Sequence, residues 1–275
     1  MKTRDKLIIY HAECSDGFGS AYAAWKKFGD TADYLACSYD QPPPDVTGKD
    51  VFILDFSYPP EVLFKLVKQA VNITIIDHHK DAMEAIIESD ILQDLVVVYD
   101  NCNSGCILTW EYLHNSPAPQ LLKHIEDSDL GEHALPDTRA IFLALHSVVP
   151  YTFEAWDEVI RDTESLEHLK RIGTILLSAQ ETAIVRLSTL STTIVLNDTR
   201  GLCCNAPQTM ASDLGNILAE QCGTFGLVFS FDGRKHLWKY SLRSNGKVDV
   251  AVIAREFGGN GHANAAGFTL PHLLI

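Results

Sequence analysis

The first half of the chain constrains the fold most, because short apolar runs alternate there with segments of helical periodicity. KLIIYHA, DYLACSY, VFILDFS, VNITIIDHH and DLVVVYD are strand-like: brief, rich in β-branched and aromatic residues, and bounded by turn signals. Between them, GFGSAYAAWKKFG reads as a helix ending at Gly29, and PPEVLFKLVKQA starts a helix with prolines in its first turn. QPPPDVTG is a proline-rich turn, and SGCILTWEYLH carries apolar residues at helical spacing. This alternation predicts an α/β fold with a parallel sheet covered by helices on both faces.

The second half has a different style. From Phe153 to Ser188 there is no proline, and Leu166, Leu169, Ile172, Ile175, Leu176 and Ala179 keep a roughly helical period, which predicts one long connecting helix. Beyond Thr192, the runs TTIVLN, GLCCNA, FGLVFSFDG and HLWKYSLRS are short strands interleaved with helices near Asp213–Gln221 and Asp249–Phe257. The expected organisation is a parallel-sheet domain over residues 1–150, a helical linker over 151–190, and a smaller mixed α/β domain over 191–275.

With 22 basic and 36 acidic residues, the formal charge of −14 disfavours a long nucleic-acid tract held through many phosphates. It leaves room for a short, metal-bound substrate, since clustered acids are what a hard cation needs. Seven cysteines without a repeated spacing argue for reduced thiols in a cytoplasmic protein, and neither Cys203-Cys204 nor Cys102–Cys106 has a paired zinc-site arrangement. No run approaches a membrane span, and MKTRDKLIIY is too short and too quickly structured for a signal peptide.

Three apolar runs deliver metal-type ligands at their ends: His11 and Asp16 after KLIIY, Asp55 in VFILDFS, and Asp77-His78-His79 after NITII. In an open parallel sheet the carboxyl ends of the strands face one crevice, so these side chains are expected to converge. HIEDSDLG adds Asp127 and Asp129 on a helix end or loop, unless it is only a solvated acidic turn. An O/N-rich set without thiolate pairs suits Mn²⁺ or Mg²⁺. Two such ions about 3.5–4 Å apart on a shared carboxylate form the usual clamp for phosphoryl transfer to water.

These motifs resemble the DHH phosphoesterase superfamily, named for the tripeptide at positions 77–79. HAECSDGFGSAYAAW is similar to its first motif, VFILDFS to its second, IIDHH to its third, and IEDSDL to its fourth. REFGGNGHANAAGF resembles the glycine-histidine signature of the DHH-associated C-terminal domain, with SLRS similar to the strand before it. The resemblance implies a DHH catalytic domain with two Mn²⁺ ions (Mg²⁺ as the alternative) and a C-terminal substrate-binding domain. His11 would bind one ion and Asp16 the other, with Asp55 as bridge. His78 would bind the second ion with Asp127, or Asp129 as the fallback. Asp77 would orient the histidine pair, and His79 would face the scissile phosphate. Ser104-Gly105 resembles a small-residue turn whose N–H groups touch a phosphate.

The first motif departs from the family at Cys14, where an aspartate is usual. The thiol either recruits to the first ion or packs as a small hydrophobe. In the C-terminal signature, Gly258, Gly259, Gly261 and His262 would form a flexible turn gripping the distal end of a substrate, the alternative being a helix cap leading into the last strand. Arg243 is a candidate anchor for a terminal phosphate, or an ordinary surface arginine. Trp25, Trp110 and Phe56 fit core packing better than base stacking. DGFGS lacks the spacing of a dinucleotide fingerprint.

The resemblance therefore implies a cytoplasmic exonuclease-type phosphodiesterase with a substrate cleft between its two domains. It would cleave short linear RNA (nanoRNA) or dinucleotides, such as those from cyclic dinucleotide turnover, to nucleoside monophosphates. The competing expectations are a phosphatase acting on a 3′-phosphorylated mononucleotide or polyphosphate, and a non-catalytic nucleotide-binding protein.

Overall fold

The computed structural model describes residues 5–39 and 41–274; the head of the MKTRDKLIIY stretch, Asp40 and Ile275 lie outside them. The chain divides into two compact units, Met1–Leu177 and Ser178–Ile275.

In the first unit the order is β1 (Lys6–His11), α1 (Ser15–Phe28), β2 (Ala32–Cys37), β3 (Asp50–Leu54), α2 (Pro60–Leu66), β4 (Asn72–Asp77), α3 (Lys80–Ile87) and β5 (Val96–Tyr99). Then come α4 (Gly105–Leu113), α5 (Gln120–Asp129), α6 (Thr138–Val148), α7 (Phe153–Arg161) and α8 (Thr163–Ser188). All strand pairs of the first sheet are parallel, in the order β2-β1-β3-β4-β5. Strand order reverses between β1 and β3, the position where a doubly wound sheet opens its crevice.

Both faces of this sheet are buried, which is why its strands read as continuous apolar runs. Leu7, Ile9, Val51, Ile53 and Ile75 pack with Leu63 and Leu66 of α2 and Met83 and Ile86 of α3. Their alternates Ile8, Phe52, Leu54 and Ile76 pack with Ala24 of α1 and Leu108 and Leu113 of α4. Gly17 and Gly19 serve this packing, since a Cβ at Gly17 would lie 2.3 Å from the His11 carbonyl oxygen and one at Gly19 2.9 Å from Cys106.

The single helix expected from Phe153 to Ser188 is broken at Asp162. Its carboxylate accepts the N–H groups of Glu164 and Ser165, each at 3.1 Å, and the Ser165 hydroxyl at 2.8 Å. An aspartate bonding the next turn's amides starts a new helix, and apolar periodicity does not register that. Nor do residues 151–177 stand apart as a linker: Trp156 and Leu169 are buried with Phe18, Ile125 and Leu145, so the division between units falls inside α8.

The second unit continues with β6 (Thr192–Leu196), β7 (Thr199–Asn205), α9 (Ala211–Cys222), β8 (Phe225–Asp232), β9 (Leu237–Ser244), α10 (Val250–Glu256), β10 (Asn260–His262) and β11 (Ala265–Leu270). Its sheet runs β10-β11-β9-β8-β7-β6, with β7 and β8 parallel and the other pairs antiparallel. Leu214 and Leu218 of α9 bury one face against Cys204 and Val228, and Val250, Ile253 and Ala254 of α10 join the core formed by Leu227, Tyr240, Leu242 and Phe268.

The glycine signature is not the flexible turn expected of it. Gly258 ends α10 at φ 75° with its N–H on the Arg255 carbonyl, and the chain then enters β10, paired with β11. A Cβ at Gly259 would lie 2.1 Å from the Gly267 carbonyl oxygen, and Gly261 has φ 147°. These glycines answer to a helix cap and a close strand approach.

Candidate metal centre

The turns that leave β1, β3 and β4 bring the metal-type side chains together. Asp55 follows β3 at φ 62°, a left-handed conformation that aspartate tolerates better than most residues, while its N–H still bonds the Ile76 carbonyl at 2.9 Å. His11 Nδ1 lies 3.5 Å from Asp55 Oδ2. His78 Nε2 lies 3.3 Å from Asp55 Oδ1, 3.7 Å from Asp16 Oδ2 and 3.5 Å from Asp129 Oδ2. Ligand atoms of His11, Cys14 and Asp55 fall within 4.8 Å of one another, as do those of Asp16, His78 and Asp129.

Asp55 thus lies between two donor groups, and its environment fits a cation. The residue is 1% exposed, and neither carboxylate oxygen, nor His11 Nδ1, has a hydrogen-bond partner among the described residues. Buried polar atoms are rarely left so, and each costs about 1–3 kcal/mol unless something else satisfies it. The protonation balance says the same. Burial, with the Asp55 and Asp129 charges, pushes Asp16 well above the usual carboxylate range. Burial would also raise Asp55, but its contacts with His11 and His78 hold it below that range. Burial opposes protonation of His78, yet Asp55, Asp16 and Asp129 raise it to about 9. Crowded carboxylates that draw protons onto their neighbours are a set arranged for positive charge.

Asp77 holds the histidine pair. Its Oδ1 accepts the backbone N–H groups of His78 at 2.8 Å and His79 at 3.3 Å, and lies 2.7 Å from His79 Nδ1. That contact raises the His79 pKa and turns Nε2 away from Asp77. Phe56, fully buried, stacks on the His11 ring at 6.1 Å.

Two expectations are corrected. Asp127 does not join the cluster: its carboxylate accepts the N–H groups of Ala134 at 2.7 Å and Leu135 at 3.2 Å, shaping the loop after α5. The fallback Asp129 meets His78 instead. Residues two apart on a helix point about 200° from each other, so one of the pair had to face away. Nor are the N–H groups at Ser104-Gly105 free for a phosphate. Those of Gly105 and Cys106 donate to Asp16 at 2.6 and 2.9 Å, and that of Ser104 donates to Glu126 at 3.2 Å.

Cys14, half-buried, lies beside His11 and Asp55 rather than within the core. Burial first, then the Asp55 charge, pushes its thiol up to about 12, so only a bound cation would draw the proton off. In the second unit His262 pairs with Ala265 and Ala265 with Arg243, which puts His262 and Arg243 on one face two strand spacings apart, with the Arg243 guanidinium donating to Ser212 Oγ at 3.3 Å and to the Leu242 carbonyl at 2.9 Å. Trp110 and Phe56 are core residues, and half-buried Trp25 stacks on Phe153 at 5.4 Å. Sequence reasoning missed Tyr39, whose exposed ring meets the edge of His11 at 5.2 Å. It lies in irregular chain after β2, where periodicity carries no signal.

Residues 205–273 match the family model of the DHHA1 domain. The uncharacterized protein R106 of Acanthamoeba polyphaga mimivirus is 29% identical over 290 residues, covering 97% of this chain and 68% of that protein. Among solved structures, the pGpG-specific phosphodiesterase PggH of Vibrio cholerae aligns with TM-score 0.52 and 12% identity over 96% of this chain and 92% of its own. RecJ of Thermus thermophilus in complex with Mn²⁺ aligns with TM-score 0.51 and 13% identity, over 97% of this chain and 50% of its own. The chain shares the fold of these two structures, and its C-terminal part matches the DHHA1 domain. Among the described residues no helix is long and apolar enough to cross a membrane.

Proposed function

We propose that this chain is a metal-dependent phosphodiesterase that hydrolyses short linear RNA or dinucleotides, such as those from cyclic dinucleotide turnover, to nucleoside monophosphates. The observation that carries this reading is the shared position of Asp55 between two donor groups, with both oxygens buried and without a hydrogen bond among the described residues. His11, Cys14 and Asp55 would hold one divalent ion, and Asp16, Asp55, His78 and Asp129 the other. Carboxylate and imidazole donors suit Mn²⁺ or Mg²⁺. When bound, the pair would supply charge neutralisation at phosphorus and an activated water.

The chain's own residues do the rest. Asp77 fixes the His79 ring and favours its protonated form, in which Nε2 would present a donor to a phosphate oxygen or to the leaving group. The N–H groups at the head of α4 pin Asp16, which keeps a carboxylate aimed at the second ion. Arg243 and His262, on one face of the second sheet, would bind a phosphate and a base of a nucleotide. The fold of PggH, by its name a pGpG-specific phosphodiesterase, and the Mn²⁺ complex of RecJ support this reading. The formal charge of −14 favours short substrates over long tracts.

The test is to incubate the protein with Mn²⁺ and a panel of dinucleotides, longer RNA, 3′-phosphorylated mononucleotides and polyphosphate, and to resolve the products by chromatography. Mononucleotides released fastest from the dinucleotides are expected. Release of inorganic phosphate from the mononucleotide or polyphosphate alone would replace this reading with a phosphatase. Nucleotide binding without turnover would make the chain a binding protein.

A further inference from the structure

Ser15 sits between Cys14 and Asp16, residues assigned above to different cation sites, and its side chain is buried at 4% exposure. Ser15 opens α1 one residue past the N-cap, and its hydroxyl bonds side chains rather than the helix backbone. Ser15 Oγ lies 3.0 Å from His146 Nε2 and 2.9 Å from the Tyr151 hydroxyl, which is itself 3.1 Å from that nitrogen. Residues far along the chain thus close a polar triangle on the first motif.

The chemistry of the triangle is determined by its fourth member. His146 Nδ1 lies 3.0 Å from the Phe142 carbonyl, which only accepts, so in the neutral tautomer that makes this bond Nδ1 carries the proton and Nε2 accepts. The hydroxyl protons of Ser15 and Tyr151 are then shared between Nε2 and the two oxygens. Tyr151, 38% exposed, rests one side of its ring on the core, 5.5 Å from fully buried Trp156 and 5.2 Å from Phe18. The turn being held needs holding: Glu13 has φ 56°, a left-handed conformation unusual for glutamate, and the only backbone groups that reach the Cys14 sulfur among the described residues are the N–H groups of Asp16 and Gly17 at the head of α1. The thiol's direction therefore follows the first turn of α1, whose opening residue is Ser15.

We propose that His146 and Tyr151 are positioning residues for the first cation site, acting through Ser15 to keep the Cys14 thiol aimed at His11 and Asp55. This rests on the reading that His11, Cys14 and Asp55 hold a divalent ion. The triangle touches none of those three side chains; it restrains the backbone that carries one of them. Tyr151 and His146 belong to the end of α6 and the turn after it, so they tie that segment to the metal centre.

The experiment titrates Co²⁺ into the metal-free full-length protein and follows the near-ultraviolet thiolate-to-cobalt absorption, with Mn²⁺ affinities measured in parallel by calorimetry. Wild type, Cys14→Ala, Ser15→Ala, Tyr151→Phe, His146→Ala and His146→Gln are compared, with thermal melts of the metal-free proteins to confirm folding. Cys14→Ala should abolish the thiolate band, which tests the underlying reading. Tyr151→Phe and Ser15→Ala, each removing one oxygen, should weaken the affinity reported by that band about tenfold, the lower range for lost outer-shell support. The affinity of the other site should stay unchanged. His146→Gln, which keeps an acceptor for the hydroxyls, should recover part of the loss seen with His146→Ala. An unchanged band and affinity in Ser15→Ala and Tyr151→Phe, with the band still absent from Cys14→Ala, would overturn the positioning role and leave the metal site standing. A wild-type protein without a thiolate band would overturn both.

Discussion

The Asp16 carboxylate and the Gly105 backbone N–H meet at 2.6 Å, so a metal-type ligand from the first motif is fixed by the head of a helix that begins far along the chain. The neighbouring Cys106 N–H takes the other oxygen at 2.9 Å. This close approach requires glycine: a Cβ at position 105 would lie 2.9 Å from both Asp16 Oδ2 and Asp55 Oδ1. Gly105→Ala is expected to displace both carboxylates and lower metal affinity by about ten- to a hundredfold, the range for lost outer-shell support. Calorimetric titration with Mn²⁺ checks this; an unchanged affinity would show that the two carboxylates do not depend on the α4 backbone.

Chelation should abolish turnover, and added Mn²⁺ should restore it. Asp55→Ala is expected to lower the rate by at least about a thousandfold, because one side chain serves both donor groups. A variant that keeps a tenth of the rate, or a chelated enzyme at full rate without detectable metal, would remove Asp55 from this role.

Asp127 and Asp129 should separate cleanly. Asp129→Ala takes an oxygen from beside His78 and is expected to weaken metal binding while leaving the melting temperature of the metal-free protein nearly unchanged. Asp127→Ala leaves the Ala134 and Leu135 N–H groups without their acceptor, a cost of about 1–3 kcal/mol in stability, with metal stoichiometry retained. Paired melts and metal analysis of the two variants decide; the reverse pattern would put Asp127 in the site.

Asp157 supplies a pH dependence away from the centre. Burial favours its neutral form, but Lys26 at 2.8 Å, the Tyr22 hydroxyl at 2.8 Å and Arg161 at 2.7 Å hold its pKa below the usual carboxylate range. A carboxylate held low contributes stability that is fully present above its unfolded pKa of about 3.9 and is lost as pH falls through its folded value. Asp157→Asn should therefore lower the melting temperature at neutral pH by a few degrees, about 2–4 °C per kcal/mol for a unit of this size. The gap from wild type should narrow towards pH 3. Melts at both pH values test this, and an equal gap throughout would show that the charge is not what stabilises α7 against α1.

The parallel sheet, the acidic and histidine side chains at its strand ends and the mixed second unit were legible in the sequence because each follows from local periodicity. Leu7 and Ile9 face one helix layer and Ile8 the other, and that alternation of buried faces makes a continuous apolar run. His11, Asp55 and Asp77 stand where such runs stop, so their convergence follows from parallel strand direction alone. Tertiary structure decided what depends on helix phase and on approach between distant segments. It turned Asp129 rather than Asp127 toward His78, gave the α4 amides to Asp16 instead of to a phosphate, and broke the long helix at Asp162. It also brought His146 and Tyr151 onto Ser15. Periodicity reports which face of an element is buried; which polar atoms meet across that face is settled only when the elements pack.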